Sequence, residues 1–214
     1  MIHPLALATA LVLASASLHA ATYTLEPNYT QGVFRWNHLG FSNPAAQFAQ
    51  GEGTLEFDPM LPTAASVTVK IPLASMNTGV PDLDDDFRSS DFFDTARFPF
   101  ATFKSTRVEK GALPDRLKVI GNLDLHGVTK PLTLDVSVVK IGTNPRTSLA
   151  TVGFDATTTL KRSDFGIGRF IPQVGDEISI HITSQAVEAK AYAQYLKDQA
   201  VREAAKQAAQ PVQK

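Results

Sequence analysis

Leu132-Thr133-Leu134-Asp135-Val136-Ser137-Val138 alternates apolar and polar side chains without a break. A period of two puts Leu132, Leu134, Val136 and Val138 on one face of an extended chain and Thr133, Asp135 and Ser137 on the other, whereas a helix would scatter them around its axis. The same rule holds on both sides of this stretch, in Val67-Thr68-Val69-Lys70-Ile71 and in Ile178-Ser179-Ile180-His181-Ile182-Thr183. Further strands are predicted over Thr22 to Glu26, Val33 to Leu39, Gln47 to Phe57, Phe100 to Val108, Arg116 to His126 and Leu149 to Leu160. Breakers separate them: Asp58-Pro59, Leu113-Pro114-Asp115, His126-Gly127, Gly142-Thr143-Asn144-Pro145 and Val174-Gly175-Asp176. One internal helix stands out, with Asp82 as its cap and Leu83 to Phe93 as its body. Asp84, Asp85 and Asp86 then fall in the first turns, where the helix dipole favours negative charge.

Eight or so strands without intervening helices predict an antiparallel all-β domain, either a sandwich or a closed up-and-down barrel. Several runs are long, and at about 3.3 Å per residue the longest reach roughly 30–40 Å, which suits a deep tube. Many inward candidates are of medium size: Val119, Leu123, Leu134, Val136, Ile178 and Ile180 among them. The large aromatics gather elsewhere, in Phe87, Phe92, Phe93, Phe98, Phe100 and Phe103. A filled core and a tube lined for a thin lipid use the same alternation, and the pattern alone leaves both open.

The ends of the chain differ from its middle. Residues 1–20 carry the apolar run Leu5 to Leu13 followed by small residues, the pattern of a secretory signal peptide with cleavage after Ala20, and too short to span a bilayer. Export to the periplasm is the expectation. Residues 189–214 are rich in Ala, Lys and Gln, predicting a helical tail that Pro211 stops. Its bases outnumber its acids, which fits peripheral contact with an anionic membrane. Before Pro211 its large apolar residues are only Tyr192, Tyr195, Leu196 and Val201, too thin a stripe to bury much, so a solvated tail is the favoured reading. Residues 21–188 remain as the barrel domain.

Composition narrows the function. Twenty Lys+Arg against twenty-one Asp+Glu give a net charge of −1, without the cationic pull of a general nucleic-acid binder. The chain has no cysteine, so disulfides, thiolate metal sites and thiol catalysis are excluded. The nucleophile elbow, the zinc-protease helix motif, the dinucleotide fingerprint and the P-loop are all missing from the sequence. No catalytic residue, metal or cofactor is therefore assigned.

Particular strings are more specific than the pattern. Tyr23-Thr24-Leu25-Glu26-Pro27-Asn28, Trp36-Asn37-His38-Leu39-Gly40-Phe41-Ser42, Ser75-Met76-Asn77-Thr78-Gly79, Arg88-Ser89-Ser90-Asp91-Phe92-Phe93-Asp94 and Phe98-Pro99-Phe100-Ala101-Thr102-Phe103 follow one another in order. Gly121 to Pro131, Arg162-Ser163-Asp164-Phe165-Gly166 and Val174-Gly175-Asp176-Glu177 complete the series. From about Thr22 to Glu188 the chain resembles the YceI-like family of exported, polyisoprenoid-binding proteins. That resemblance implies an elongated eight-stranded antiparallel lipocalin-like barrel with one short internal helix and a C-terminal helical tail. It also implies a buried long-chain amphiphile such as a polyisoprenoid, a quinone or a fatty-acid derivative. Some members are associated with cytochrome b561-type membrane proteins, so an accessory redox role is the alternative, and an isoprenoid-modifying enzyme a weaker one. A monomer or a homodimer fits equally. Where relatives place a His-Ser pair after the first strand this chain has Tyr29-Thr30, and where they carry Arg-Asp and a His before the Phe-rich helix it has Leu83, Asp84 and Asp86. Consecutive carboxylates favour a ligand less charged than a pyrophosphate.

The ligand-binding candidates are Trp36, His38, Phe41, Phe87, Phe92, Phe93 and Phe103, with Arg88 and Arg162 as headgroup contacts. Each polar member has a structural reading as well. His38 serves equally as a hydrogen-bonded turn residue. Arg162 is expected to pair with Asp164 across a bend, and Arg88 with Asp91 at i, i+3 on the short helix. His38, His126 and His181 lack metal-ligand spacing, and Asp84 to Asp86 with Asp91 and Asp94 lack the calcium-loop pattern, so a solvated acidic helix start is expected.

Overall fold

A computed structural model describes residues 20–208. The predicted leader lies outside the described residues apart from Ala20, as do Pro211 and the rest of the last six residues of the tail. Ten strands occur, β1 (Ala21–Leu25), β2 (Gln31–Arg35), β3 (Ala45–Phe48), β4 (Glu52–Phe57), β5 (Ser66–Pro72), β6 (Phe100–Lys110), β7 (Arg116–Leu125), β8 (Val128–Thr143), β9 (Ala150–Lys161) and β10 (Glu177–Glu188). Pairing runs β1-β4-β5-β6-β7-β8-β9-β10 and returns from β10 to β1, which closes an antiparallel eight-stranded barrel. Closure leaves no edge on the ring.

The remaining two strands prolong the first two staves. β10 pairs with β1 through Leu25↔Ala186 and, further along, with β2 through Gln31↔Thr183, so β1 and β2 are one stave interrupted by the 3-10 turn Pro27–Tyr29. Pro27 cannot donate to a ladder, and the Glu26 carboxylate accepts from the Asn28 N–H instead. β3 and β4 are likewise parted at Ala49–Gly51, where Gln50 has φ 58°.

β7 displays the alternation most cleanly. Leu117, Val119, Gly121, Leu123 and Leu125 are buried, while Arg116, Lys118, Asn122 and Asp124 are exposed. β8 continues it, with Thr133 and Asp135 outside and Leu134 and Val136 inside. A bulge between Ser105 and Arg107 shifts the parity of β6 so that Val108 faces the interior, and the freed Ser105 hydroxyl accepts from the Val67 N–H at 2.9 Å. Gly121 is required opposite Ser105, since a Cβ there would lie 2.4 Å from the Lys104 carbonyl and 2.5 Å from the Phe103 ring.

The helices differ in detail from the sequence expectation. α1 spans Pro81–Arg88, shorter than Leu83 to Phe93. Its N-cap is Val80 rather than Asp82, because Pro81 fits the first helical position, where its missing N–H costs nothing. The helix stops at Ser89, whose N–H closes onto Asp85 and Asp86, and Phe92 and Phe93 lie in the turns beyond. α2 spans Ala189–Ala208, about 30 Å at 1.5 Å per residue. The Glu188 carboxylate caps its first turn through the N–H groups of Lys190 and Ala191. Tyr192 ties it to the barrel by donating to Glu26, while Val201 to Ala208 are exposed.

Candidate functional site: an apolar tube

The inward side chains do not fill the barrel. Val67, Val69, Leu132, Leu134, Ile180 and Ile182 all face the interior yet remain only half-buried, because each borders an open lumen as well as its neighbours in the wall. The cavity of about 280 Å³ is some twenty times what one water needs, and its wall is overwhelmingly apolar. It extends from Leu25, Leu55 and Phe57 near the α2 end to Trp36, Phe87 and Ile178 at the α1 end. Small inward residues, Gly32, Ala101 and Ala156, keep the passage open.

At the α1 end the tube closes on a set of rings. Phe34 stacks on Phe48 at 5.1 Å between centroids, Trp36 meets Phe87 edge-on at 5.3 Å, and Phe93 meets Phe48 at 5.5 Å. Phe92 bridges from Phe87 at 5.1 Å to Phe170 at 6.3 Å. These contacts need rings from β2, β3, α1 and the turns after α1 together, which explains why the Phe-rich stretch folds over this end rather than into the wall.

Of the sequence candidates, Trp36, Phe87, Phe92, Phe93, Phe103 and Arg162 line the tube. The other three are outside it. β2 ends at Arg35, so His38 is an exposed loop residue whose backbone bonds to Ser42. Phe41, beside it, is 91% exposed. Arg88 is spent on the Met76 carbonyl at 2.9 Å and on Asp85 at 3.2 Å, and the expected pair with Asp91 is absent because Asp91 turns to Arg169 at 3.0 Å.

Arg162 pairs neither with Asp164, which is exposed, nor with an open headgroup site. Its guanidinium donates to four carbonyls, those of Ile167, Arg169, Val174 and Gly175, at 2.8–2.9 Å. The planar fork thus staples the loop 162–176 across the barrel end. Burial lowers the Arg162 pKa from its ordinary value and Asp176 opposes that shift. Burial works against ionisation of Asp176 too, but the Ser163 N–H and hydroxyl, with Arg162 and Lys161, hold its carboxyl below the usual range. The carboxylates of α1 diverge. Asp84 is buried and accepts from the Thr78 hydroxyl at 2.7 Å and its N–H at 2.6 Å, which lowers its pKa, while Asp85 and Asp86 face solvent.

Residues that sequence reasoning missed include Thr30 and Ser184, which hydrogen-bond to each other at 2.9 Å inside the tube. Ser184 continues the inward series Ile178, Ile180, Ile182, so its side was legible from parity. Thr30 shares the parity of Gly32, Phe34 and Trp36, but it lies before the predicted start of that strand at Val33 and so was not counted.

An all-antiparallel closed barrel around an apolar lumen, capped by a short helix and loops, defines the class as a lipocalin-like barrel. The family model of the YceI-like domain matches residues 23–186, and the chain belongs to that family. It is 35% identical over 182 residues to Protein YceI of Escherichia coli O157:H7, covering 84% of this chain and 94% of that one. Among solved structures it resembles Burkholderia cenocepacia BcnA with a TM-score of 0.65 at 24% identity, covering 73% of this chain and 95% of the other. It also resembles a polyisoprenoid binding domain from Saccharophagus degradans implicated in plant cell wall breakdown, with a TM-score of 0.59 at 15% identity, covering 80% and 99%. Both structural likenesses concern the fold.

Proposed function

We propose that this protein binds a long-chain amphiphile, a polyisoprenoid, quinone or fatty-acid derivative, and carries or sequesters it without transforming it. The observation that carries this reading is the apolar lumen that runs the length of the barrel, with Val67, Val69, Leu132, Leu134, Ile180 and Ile182 left half-buried along it. Each CH₂ buried there contributes about 0.8 kcal/mol, so a chain of ten carbons supplies about 8 kcal/mol before the cost of association. Trp36, Phe87, Phe92, Phe93 and Phe103 are its aromatic contacts. The Saccharophagus degradans domain supports the ligand class by analogy, and the leader-like residues 1–20 support export to the periplasm. Native mass spectrometry of protein isolated without detergent tests the reading. A retained hydrophobic mass is the expected result, while no retained mass and no binding from a lipid extract would overturn it.

The exposed far half of α2, where Arg202 and Lys206 face one acid, Glu203, favours a second role for the same carrier, docking on a membrane redox protein of the cytochrome b561 type. Removing residues 189–214 then weakens membrane recruitment and leaves ligand affinity unchanged. Unaltered recruitment contradicts that role.

A further inference from the structure

Six polar side chains border the otherwise apolar tube: Thr30, Gln31, Ser66, Thr158, Arg162 and Ser184. Four of them are not directed at a ligand. Thr158 donates to the Thr133 carbonyl at 2.8 Å, Arg162 to its four loop carbonyls, and the Gln31 carboxamide accepts from Gln47, while Ser66 is exposed at a strand start. Thr30 and Ser184 remain. Thr30 is only 5% exposed, and its hydroxyl has Ser184 as its sole side-chain partner among the described residues.

The pair has a proton left over. Each hydroxyl brings one donor and two acceptor lone pairs, and the bond between them uses one proton. No other protein atom among the described residues accepts the second. Leaving a donor unmade inside an apolar wall is costly, so the pair is completed by an acceptor that enters the tube. Its orientation is built in. A Cβ on residue 51 would come within 2.7 Å of the Thr30 methyl, so Gly51 seats that methyl, and the Gly51 N–H holds the Thr30 carbonyl at 3.1 Å. With the methyl fixed, the hydroxyl is turned onto Ser184.

We infer that Thr30 and Ser184 form a subsite for a single neutral oxygen of the ligand, a carbonyl or hydroxyl on an otherwise apolar chain. This rests on the tube holding an amphiphile and adds which amphiphiles it selects. One O–H donor satisfies a ketone, quinone or alcohol oxygen, and leaves most oxygens of a phosphate unpaired.

Hexadecan-2-one labelled with ¹³C at its carbonyl and hexadecane are the probes, offered to the full chain and to the Thr30→Val/Ser184→Ala and Ser184→Ala variants. Thr30→Val keeps the methyl over Gly51 and removes the hydroxyl. The wild type is expected to shift the carbonyl stretch to lower frequency than in hexadecane solution, the double variant to abolish the shift, and Ser184→Ala, which frees the Thr30 hydroxyl to donate, to keep one. Ketone affinity falls about three- to tenfold in the double variant, while hexadecane affinity is unchanged. An unshifted carbonyl in the wild-type complex, or equal weakening of both probes, overturns the subsite while leaving the carrier reading in place. Failure of the wild type to bind either probe overturns both.

Discussion

The aromatic end of the barrel and its aliphatic wall obey the same period-two pattern and reach opposite packing. At the α1 end, Phe34, Trp36 and Phe87 are buried against one another, with Phe48 and Phe93 packed beside them. Along the wall, Ile180, Ile182, Leu132 and Leu134 point the same way but are too short to meet across the ring. Alternation therefore decides which side is apolar, and side-chain size against barrel diameter decides whether that side is a core or a cavity.

The largest test of this contrast is truncation. Phe34→Ala removes a ring from a packed cluster and is expected to cost about 3–5 kcal/mol by urea unfolding. Ile182→Ala, which faces the lumen and has fewer contacts to lose, is expected to cost less than about 2 kcal/mol. Equal losses would mean that the wall is packed after all. Next comes Arg162→Met, which strands four carbonyls that hold the loop 162–176 and should destabilise by about 3 kcal/mol, with faster proteolysis within that loop. Filling the lumen separates binding from stability. Ala156→Phe should leave the melting temperature unchanged or higher and lower chain affinity at least tenfold.

The smallest effects lie in pH. Tyr192, half-buried and beside Glu26, has its pKa pushed up to about 12 from an ordinary 10.0 by partial desolvation and the Glu26 carboxylate. A raised phenol pKa leaves its contribution intact below pH 10 and removes it as pH rises through about 12, so α2 should undock in that window, seen as loss of its amide protection. Tyr192→Phe should remove that pH step. Asp84 behaves in the opposite sense. Its carboxyl is held low by the Thr78 hydroxyl, so its contribution is present above the ordinary carboxylate range and lost as pH falls through the lowered pKa. Asp84→Asn should flatten acid unfolding there by less than about 1 kcal/mol.

Much of this fold was legible because alternation survives wherever a strand is continuous. The strands from Phe100 to Leu160 were placed to within a few residues on this basis, although β8 runs on to Thr143 beyond the clear pattern. The breaks were harder. Pro27 and Gly51 signal irregularity, but not that two staves continue past it in the same ring. Trp36, Phe87, Phe92, Phe93 and Phe103 were legible, whereas Phe41 projects into solvent and Phe34 and Phe48, at the centre of the ring cluster, were not singled out. The charged ones were misread because a guanidinium seeks whatever acceptors the fold brings near it, and for Arg162 those are backbone carbonyls from a loop that sequence spacing does not locate.

One measurement addresses the hollow wall directly. The chain contains a single tryptophan, Trp36, at the aromatic end of the tube. Titration with a C16 ketone carrying bromine on its chain is predicted to quench Trp36 fluorescence in a saturable way, at one ligand per chain, with saturation lost in Ala156→Phe. Quenching that is absent, rises linearly with ligand, or is indifferent to Ala156→Phe would contradict a ligand-holding lumen.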